Sequence, residues 1–229
     1  MKIIGLIGGM SWESTVTYYR CINEEVKQRL GGLHSAKCIL ASVDFQEIES
    51  CQSSGDWNRS ADILGNAAAG LERAGAELVL ICTNTMHKVA PQVQACIGVP
   101  LLHIAEATAD VLEDSGIRKV GLLGTRYTML QDFYKEHLAA RGLEVIIPSP
   151  TGVELVDRVI FKELCMGICA ETSRQAFLTI IDDLADQGAQ GVILGCTEIG
   201  LLIDQHDTKI PLFDTTLIHA RRAVELALK

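Results

Sequence analysis

The sequence predicts an α/β fold made of two similar doubly wound parallel-sheet domains related by a pseudo-twofold axis. Three observations predict it. Short runs of Val, Ile and Leu bounded by Gly or Pro recur along the chain, which is how strands buried on both faces of a parallel sheet read. Stretches of helical spacing fill the gaps, for example Val16, Tyr19, Ile22, Asn23 and Val26 ahead of Gly31-Gly32. Third, the landmarks repeat in order. Ile4-Gly5-Leu6-Ile7-Gly8-Gly9 returns as Val120-Gly121-Leu122-Leu123-Gly124-Thr125, Gly75 to Thr85 returns as Gly188 to Glu198, and Val99-Pro100-Leu101-Leu102 returns as Ile210-Pro211-Leu212-Phe213.

Taken in order, strands are expected near 2–7, 37–43, 77–82, 118–123, 143–147, 190–195 and 210–213, with helices between them and right-handed crossovers joining them. A closing helix at 215–228 is expected to pack back on the first half. The repeat places the domains at 1–98 plus 209–229 and at 99–208. Trp12, Tyr18 and Tyr19 sit in an amphipathic helix and are read as packing. The charged run from Arg20 to Arg29 reads as a solvated face, and residues 50–60, with Ser53-Ser54-Gly55-Asp56, as a mobile loop.

Composition narrows the function. The 229 residues carry 20 basic and 29 acidic side chains, a net charge of −9 that repels nucleic-acid phosphates and anionic lipid. Hydrophobic residues make up 48% and prolines number 5, as in an ordinary folded domain without long linkers. The apolar run Ile3 to Met10 is too short to span a membrane and lacks a cleavage pattern, so the expected location is the cytoplasm. The 8 cysteines lie within helix and strand patterns, which favours reduced thiols over a disulfide framework. Cys165 and Cys169 lack the partners of a metal tetrad.

Chemistry concentrates at two strand ends. Ligands of doubly wound sheets bind outside the carboxyl ends of the strands, which directs the Thr83-Asn84-Thr85 loop and the Cys196-Thr197-Glu198 loop at one cleft. A thiol at such a position, followed by a helix start, can have its pKa lowered by backbone donors. A small apolar filler is the plain alternative for a buried cysteine. Gly8-Gly9-Met10-Ser11 either exposes backbone N–H groups or merely permits a tight turn, with Ser11 as N-cap and Glu13 in the first turn. It fits neither the G-x-G-x-x-G nor the P-loop pattern. His87 and Lys88 follow the first loop, and His103, in the apolar stretch Leu101-Leu102-His103-Ile104, reads as an interior histidine.

At these residues the sequence resembles the aspartate/glutamate racemase family over essentially the whole chain. The matching motifs are Gly5-Leu6-Ile7-Gly8-Gly9-Met10-Ser11, Cys82-Thr83-Asn84-Thr85-Met86-His87, Gly124-Thr125 and Gly195-Cys196-Thr197-Glu198-Ile199. The resemblance implies two α/β domains with the site between them, usually a homodimer, with neither pyridoxal phosphate nor a metal as cofactor. It also implies 1,1-proton transfer to amino acids by two groups on opposite faces of the substrate Cα. Inversion demands such a pair, because one base only returns the proton to the face it came from. Carried onto this sequence, the catalytic pair is Thr83 and Cys196, and Met10, Gln46, Asn84, Thr85, Thr125 and Thr197 bind substrate, the last four amide and hydroxyl groups serving the α-carboxylate.

Two departures from the family pattern matter. The first catalytic cysteine is replaced by Thr83, as in a subgroup of these racemases, with Cys82 one place early and on the opposite side of the strand. A hydroxyl donates a proton but hardly abstracts one, so Cys196 is expected to work on the L enantiomer and the D side to be slow. Residues 44–58 also contain no cation for a distal carboxylate, while Arg158 and Lys162 occur later. Gln46 suits a neutral polar side chain, leaving acidic and broader substrates both open. Hydantoin racemisation, maleate isomerisation, malonate decarboxylation or amino-acid binding without turnover are the competing readings.

Overall fold

The computed structural model describes residues 1–229. Contacts divide the chain into one unit of Met1–Ile104 with His219–Lys229 and a second of Ala105–Ile218. In the first, β1 (Ile4–Gly8), β2 (Cys38–Ser42), β3 (Leu78–Ile81) and β4 (Leu101–Leu102) form a parallel sheet in the order β2-β1-β3-β4. Around it run α1 (Trp12–Leu30), α2 (Phe45–Ser54), α3 (Trp57–Arg73) and α4 (Ala90–Gln94).

The second unit repeats the plan. Its strands β5 (Lys119–Gly124), β6 (Glu144–Ile146), β7 (Val192–Gly195) and β8 (Leu212–Asp214) are parallel and ordered β6-β5-β7-β8. The helices that follow are α5 (Ile104–Asp114), α6 (Arg126–Leu130), α7 (Asp132–Ala139), α8 (Pro150–Lys162), α9 (Glu171–Asp186), α10 (Ile199–Leu202) and α11 (Thr215–Leu228), the last belonging to the first unit from His219 onward. All seven expected strands form to within a few residues. The boundary moves, however: 101–102 pair with β3 and 212–214 with β7. The units therefore divide at 104/105 and 218/219 rather than at 98/99 and 208/209.

Alternation along the strands sorts the first core. Ile7, Val79 and Ile81 join Leu64, Ala68 and Leu71 of α3 in one buried cluster. Gly5 permits the close approach of that helix, since a Cβ there would lie 2.9 Å from the Ala76 Cβ and 3.3 Å from Leu71. On α1, Tyr18, Ile22 and Val26 are fully buried. The end of α11 closes this unit as expected, with Lys2 N–H donating to the Ala227 carbonyl at 2.8 Å.

Three local expectations change. Trp12 and Tyr19 are 66% and 59% exposed, so only Tyr18 packs. With the exposed Val16 they lie along α1, and Val16 and Tyr19 line a hollow with Cys38 and Leu40 of the edge strand β2. Residues 50–60 are two helices meeting tightly: Gly55 adopts the left-handed conformation that ends α2, and the Asp56 carboxylate caps α3 by accepting from Arg59 N–H at 3.0 Å. The Gly8-Gly9 turn is steric in purpose. Gly9 has φ +93° and a Cβ there would fall 2.1 Å from the Val43 carbonyl oxygen, while its N–H already donates to Thr15 Oγ1 at 2.8 Å. No helix is long and apolar enough to cross a membrane.

Candidate active site

In each sheet the chain leaves its first strand in one direction and later returns on the other side, so a switch point lies between β1 and β3 and another between β5 and β7. Ile7 pairs with Ile81, so the next positions but one, Gly9 and Thr83, emerge side by side at the first switch point. Gly124 pairs with Gly195, so Thr125 and Cys196 emerge together at the second. Glycine lets these ends approach: a Cβ on Gly195 would lie 2.8 Å from the Leu123 carbonyl oxygen, and one on Gly124 would lie 2.9 Å from that of Gly195. Thr83 and Cys196 thus occupy equivalent places in the two units.

In the first unit, Thr83, Asn84 and Thr85 follow β3; Thr83 is half-buried and the other two are buried. Met10, after β1, is buried within the α3-facing cluster. Gln46 stands exposed in the first turn of α2, its side-chain amide donating to Ser50 Oγ at 3.3 Å. Cys82 is 1% exposed, and burial pushes its thiol far above the usual range. It is a core residue, and Thr83 is the polar group its strand end presents.

The second unit brings Thr125, Cys196 and Thr197 to one strand-end cluster. Thr125 caps α6, its Oγ1 accepting from Thr128 N–H at 3.4 Å. Cys196 Sγ donates to Glu198 Oε2 at 2.9 Å, and Thr197 Oγ1 donates to the same oxygen at 3.1 Å. Glu198 is 3% exposed. Burial, the Glu198 charge and Cys165 hold the Cys196 thiol well above the ordinary cysteine value, with a backbone hydrogen bond at Glu198 acting the other way. The expectation of a thiol acidified by its own loop is corrected: here a buried carboxylate takes the thiol hydrogen bond. Glu198, named in the sequence only as part of the Cys196 loop, gains a contact role here, and a carboxylate two residues after a strand-end cysteine is the signal for it.

Behind the Thr83 loop lies a buried histidine column. His87 Nδ1 lies 2.8 Å from the Thr83 carbonyl oxygen, and Ile104 N–H donates to His87 Nε2 at 3.2 Å. The His103 and His219 rings meet His87 edge-on, with centroids 4.7 and 5.6 Å away. His219 lies 2.8 Å from Tyr18 Oη through Nδ1 and 2.9 Å from the Leu102 carbonyl through Nε2. Burial lowers His87 and His219 to about 3, helped in His87 by the His219 charge. Both rings are neutral near pH 7. No group of three His, Cys, Asp or Glu side chains is arranged to hold a metal ion, and Arg158 and Lys162 are exposed.

Comparison with known proteins agrees with this architecture. A protein of Yersinia pestis, whose crystal structure is described as that of a candidate Asp/Glu racemase, is 58% identical and matches with a TM-score of 0.94 over all of both chains. PH1733 of Pyrococcus horikoshii OT3, described as an aspartate racemase homologue, is 40% identical, with a TM-score of 0.88 over all of both chains. The broad specificity amino-acid racemase RacX of Bacillus subtilis is 23% identical over 234 residues, spanning 99% of this chain and 98% of that one. The model of the Asp/Glu/hydantoin racemase family matches residues 7–223. Motifs, repeat and fold thus converge, and the chain belongs to the Asp/Glu/hydantoin racemase family.

Proposed function

We propose that this protein racemises amino acids by two-base proton transfer, with Cys196 and Thr83 on opposite faces of the substrate Cα. The observation that supports this most strongly is the equivalence of the two positions: a thiol and a hydroxyl, each at the switch point of its own sheet. The Cys196–Glu198 hydrogen bond supports a route to the thiolate. Glu198 accepts the thiol proton, and the substrate ammonium offsets the resulting charge. The thiolate then takes the α-proton of the L enantiomer, and Thr83 delivers its hydroxyl proton to the opposite face. Thr83 is reprotonated from water, and Glu198 returns its proton to solvent. No cofactor enters this route. Asn84, Thr85, Thr125 and Thr197 serve the α-carboxylate, whose charge rises in the carbanion-like transition state; Met10 walls the site and Gln46 meets the substrate side chain.

A racemase has an equilibrium constant of one, so kcat/KM must be the same from both enantiomers. The asymmetry expected of a Thr/Cys pair therefore lies in kcat, with a matching difference in KM. The homodimer implied by the family fits the exposed Trp12, Val16 and Tyr19 along α1 and the hollow that Val16 and Tyr19 line with the edge strand β2, which a second copy would cover. A cytoplasmic location fits these free thiols.

The test is chiral chromatography of products from L-aspartate, L-glutamate and a set of neutral L-amino acids, using the wild type and Cys196→Ala. Formation of D product from at least one substrate, lost in Cys196→Ala, supports the reading. Binding without inversion of any of them would make the chain a receptor, and turnover of hydantoins or malonates alone would reassign the reaction.

A further inference from the structure

His87 is tied at both ring nitrogens to main chain. Its Nδ1 faces the Thr83 carbonyl at 2.8 Å, and its Nε2 accepts from Ile104 N–H at 3.2 Å. A carbonyl only accepts and an amide N–H only donates, so the network assigns the proton to Nδ1. With both nitrogens engaged, the ring is unsuited to shuttling protons. It joins the loop after β3 to the residue that opens the segment after β4. His103 and His219 wall it on its two sides, and His219 is itself fixed by Tyr18 and the Leu102 carbonyl.

We propose that His87 is the positioning residue of Thr83: by pinning the Thr83 carbonyl it sets the peptide plane from which the Thr83 hydroxyl and the Asn84 N–H are aimed. The planar peptide links these directions, since fixing its C=O fixes its N–H as well. The main-chain N–H of His87 also donates to the Asn84 carbonyl at 3.0 Å, a bond that persists in any variant at 87, so the ring contact to the Thr83 carbonyl is what the substitutions test. Misplacement of a reacting group by about 1 Å can cost on the order of 10²-fold in rate. The inference rests on Thr83 being the opposite-face proton donor.

Its test separates positioning from general damage. With an L substrate in D₂O, α-deuterated L recovered reports the Cys196 side, and D product reports delivery by Thr83. The ratio of inversion to exchange is measured in the wild type, His87→Ala, His87→Asn and Thr83→Ala. Asn offers an amide N–H near the place of Nδ1–H. His87→Ala is expected to lower the ratio by up to about 10²-fold, the cost of a misplacement of about 1 Å, and His87→Asn to recover most of that loss. If His87→Ala does not fold, His87→Gln replaces it, because its donor lies near the Nε2 place and the ratio should again fall below that of His87→Asn. A wild-type ratio in the Ala or Gln variant overturns the role of His87, as does an equal fall of inversion and exchange in every variant. An unchanged ratio in Thr83→Ala overturns the role of Thr83 itself.

Discussion

Cys196 and Glu198 are joined by a 2.9 Å hydrogen bond from thiol to buried carboxylate. That contact adds to burial in raising the thiol pKa at rest, and in the proposed reaction it supplies the acceptor for the thiol proton. A half-buried thiol held beside a negative charge resists ionisation, and the same carboxylate accepts its hydrogen bond.

The first prediction concerns the resting thiol. Iodoacetamide should modify Cys196 at neutral pH more slowly than the exposed Cys96 and Cys169. Glu198→Gln removes the charge that raises the Cys196 value, so its alkylation profile should move to lower pH. The same variant cannot accept the thiol proton, and kcat should fall by roughly 10²–10⁴-fold, the usual worth of a positioned acid or base. Peptide mass spectrometry across pH reads the first effect, and a chiral assay the second. A profile that moves upward would remove Glu198 from the account.

The second concerns Thr83. At saturating substrate, kcat from the L enantiomer should exceed kcat from the D enantiomer, and Thr83→Cys should raise the D-side value by providing a second thiol. Full progress curves from each enantiomer measure both. Equal kcat values in the wild type would show that the hydroxyl abstracts as well as the thiol.

The third follows from the histidine column. His87 and His219 are held at about 3 in the folded protein against an ordinary value near 6.5. Below about 6.5 the unfolded chain therefore binds protons that the folded chain refuses, so stability is full above that value and declines as pH falls toward 3. By pH 5 each ring should cost roughly 2 kcal/mol, from the linkage between pKa and stability. Urea unfolding at pH 7.5 and 5 should show the loss, and His219→Gln should show a shallower dependence. A variant slope as steep as that of the wild type would mean the ring is protonated in the fold.

The fourth concerns the turn after β1. Gly9→Ala introduces a Cβ against the Val43 carbonyl at 2.1 Å and a left-handed conformation that side chains rarely adopt. The expected loss is about 2 kcal/mol or more, visible as a lower thermal midpoint, whereas Gly116→Ala meets nothing within 4 Å and should lose less, retaining only the conformational penalty. Equal losses would place the cost in conformation alone.

Much of this fold was legible because strands buried on both faces are written as unbroken apolar runs, and the repeat of Gly5 and Gly121 exposed the duplication. The short strands β4 and β8 carry only two and three residues, so the domain boundary beside them was misplaced; pairing across the sheet decides it. Thr83 and Cys196 were legible from their strand ends. Glu198 and His87 were less so, since a carboxylate that accepts from a thiol and a histidine that holds a carbonyl act through distances that linear sequence does not contain. Trp12 and Tyr19 looked like core because an amphipathic pattern does not say which apolar residues remain uncovered.

The central claim is that the thiol of Cys196 removes the substrate α-proton. The most direct measurement is NMR of α-proton exchange when an L substrate identified by the chiral assay is incubated in D₂O with the wild type and with Cys196→Ala. Exchange in the wild type and its loss in Cys196→Ala, with the variant still folded and binding the substrate, is the predicted result. Exchange at an undiminished rate in Cys196→Ala would contradict it.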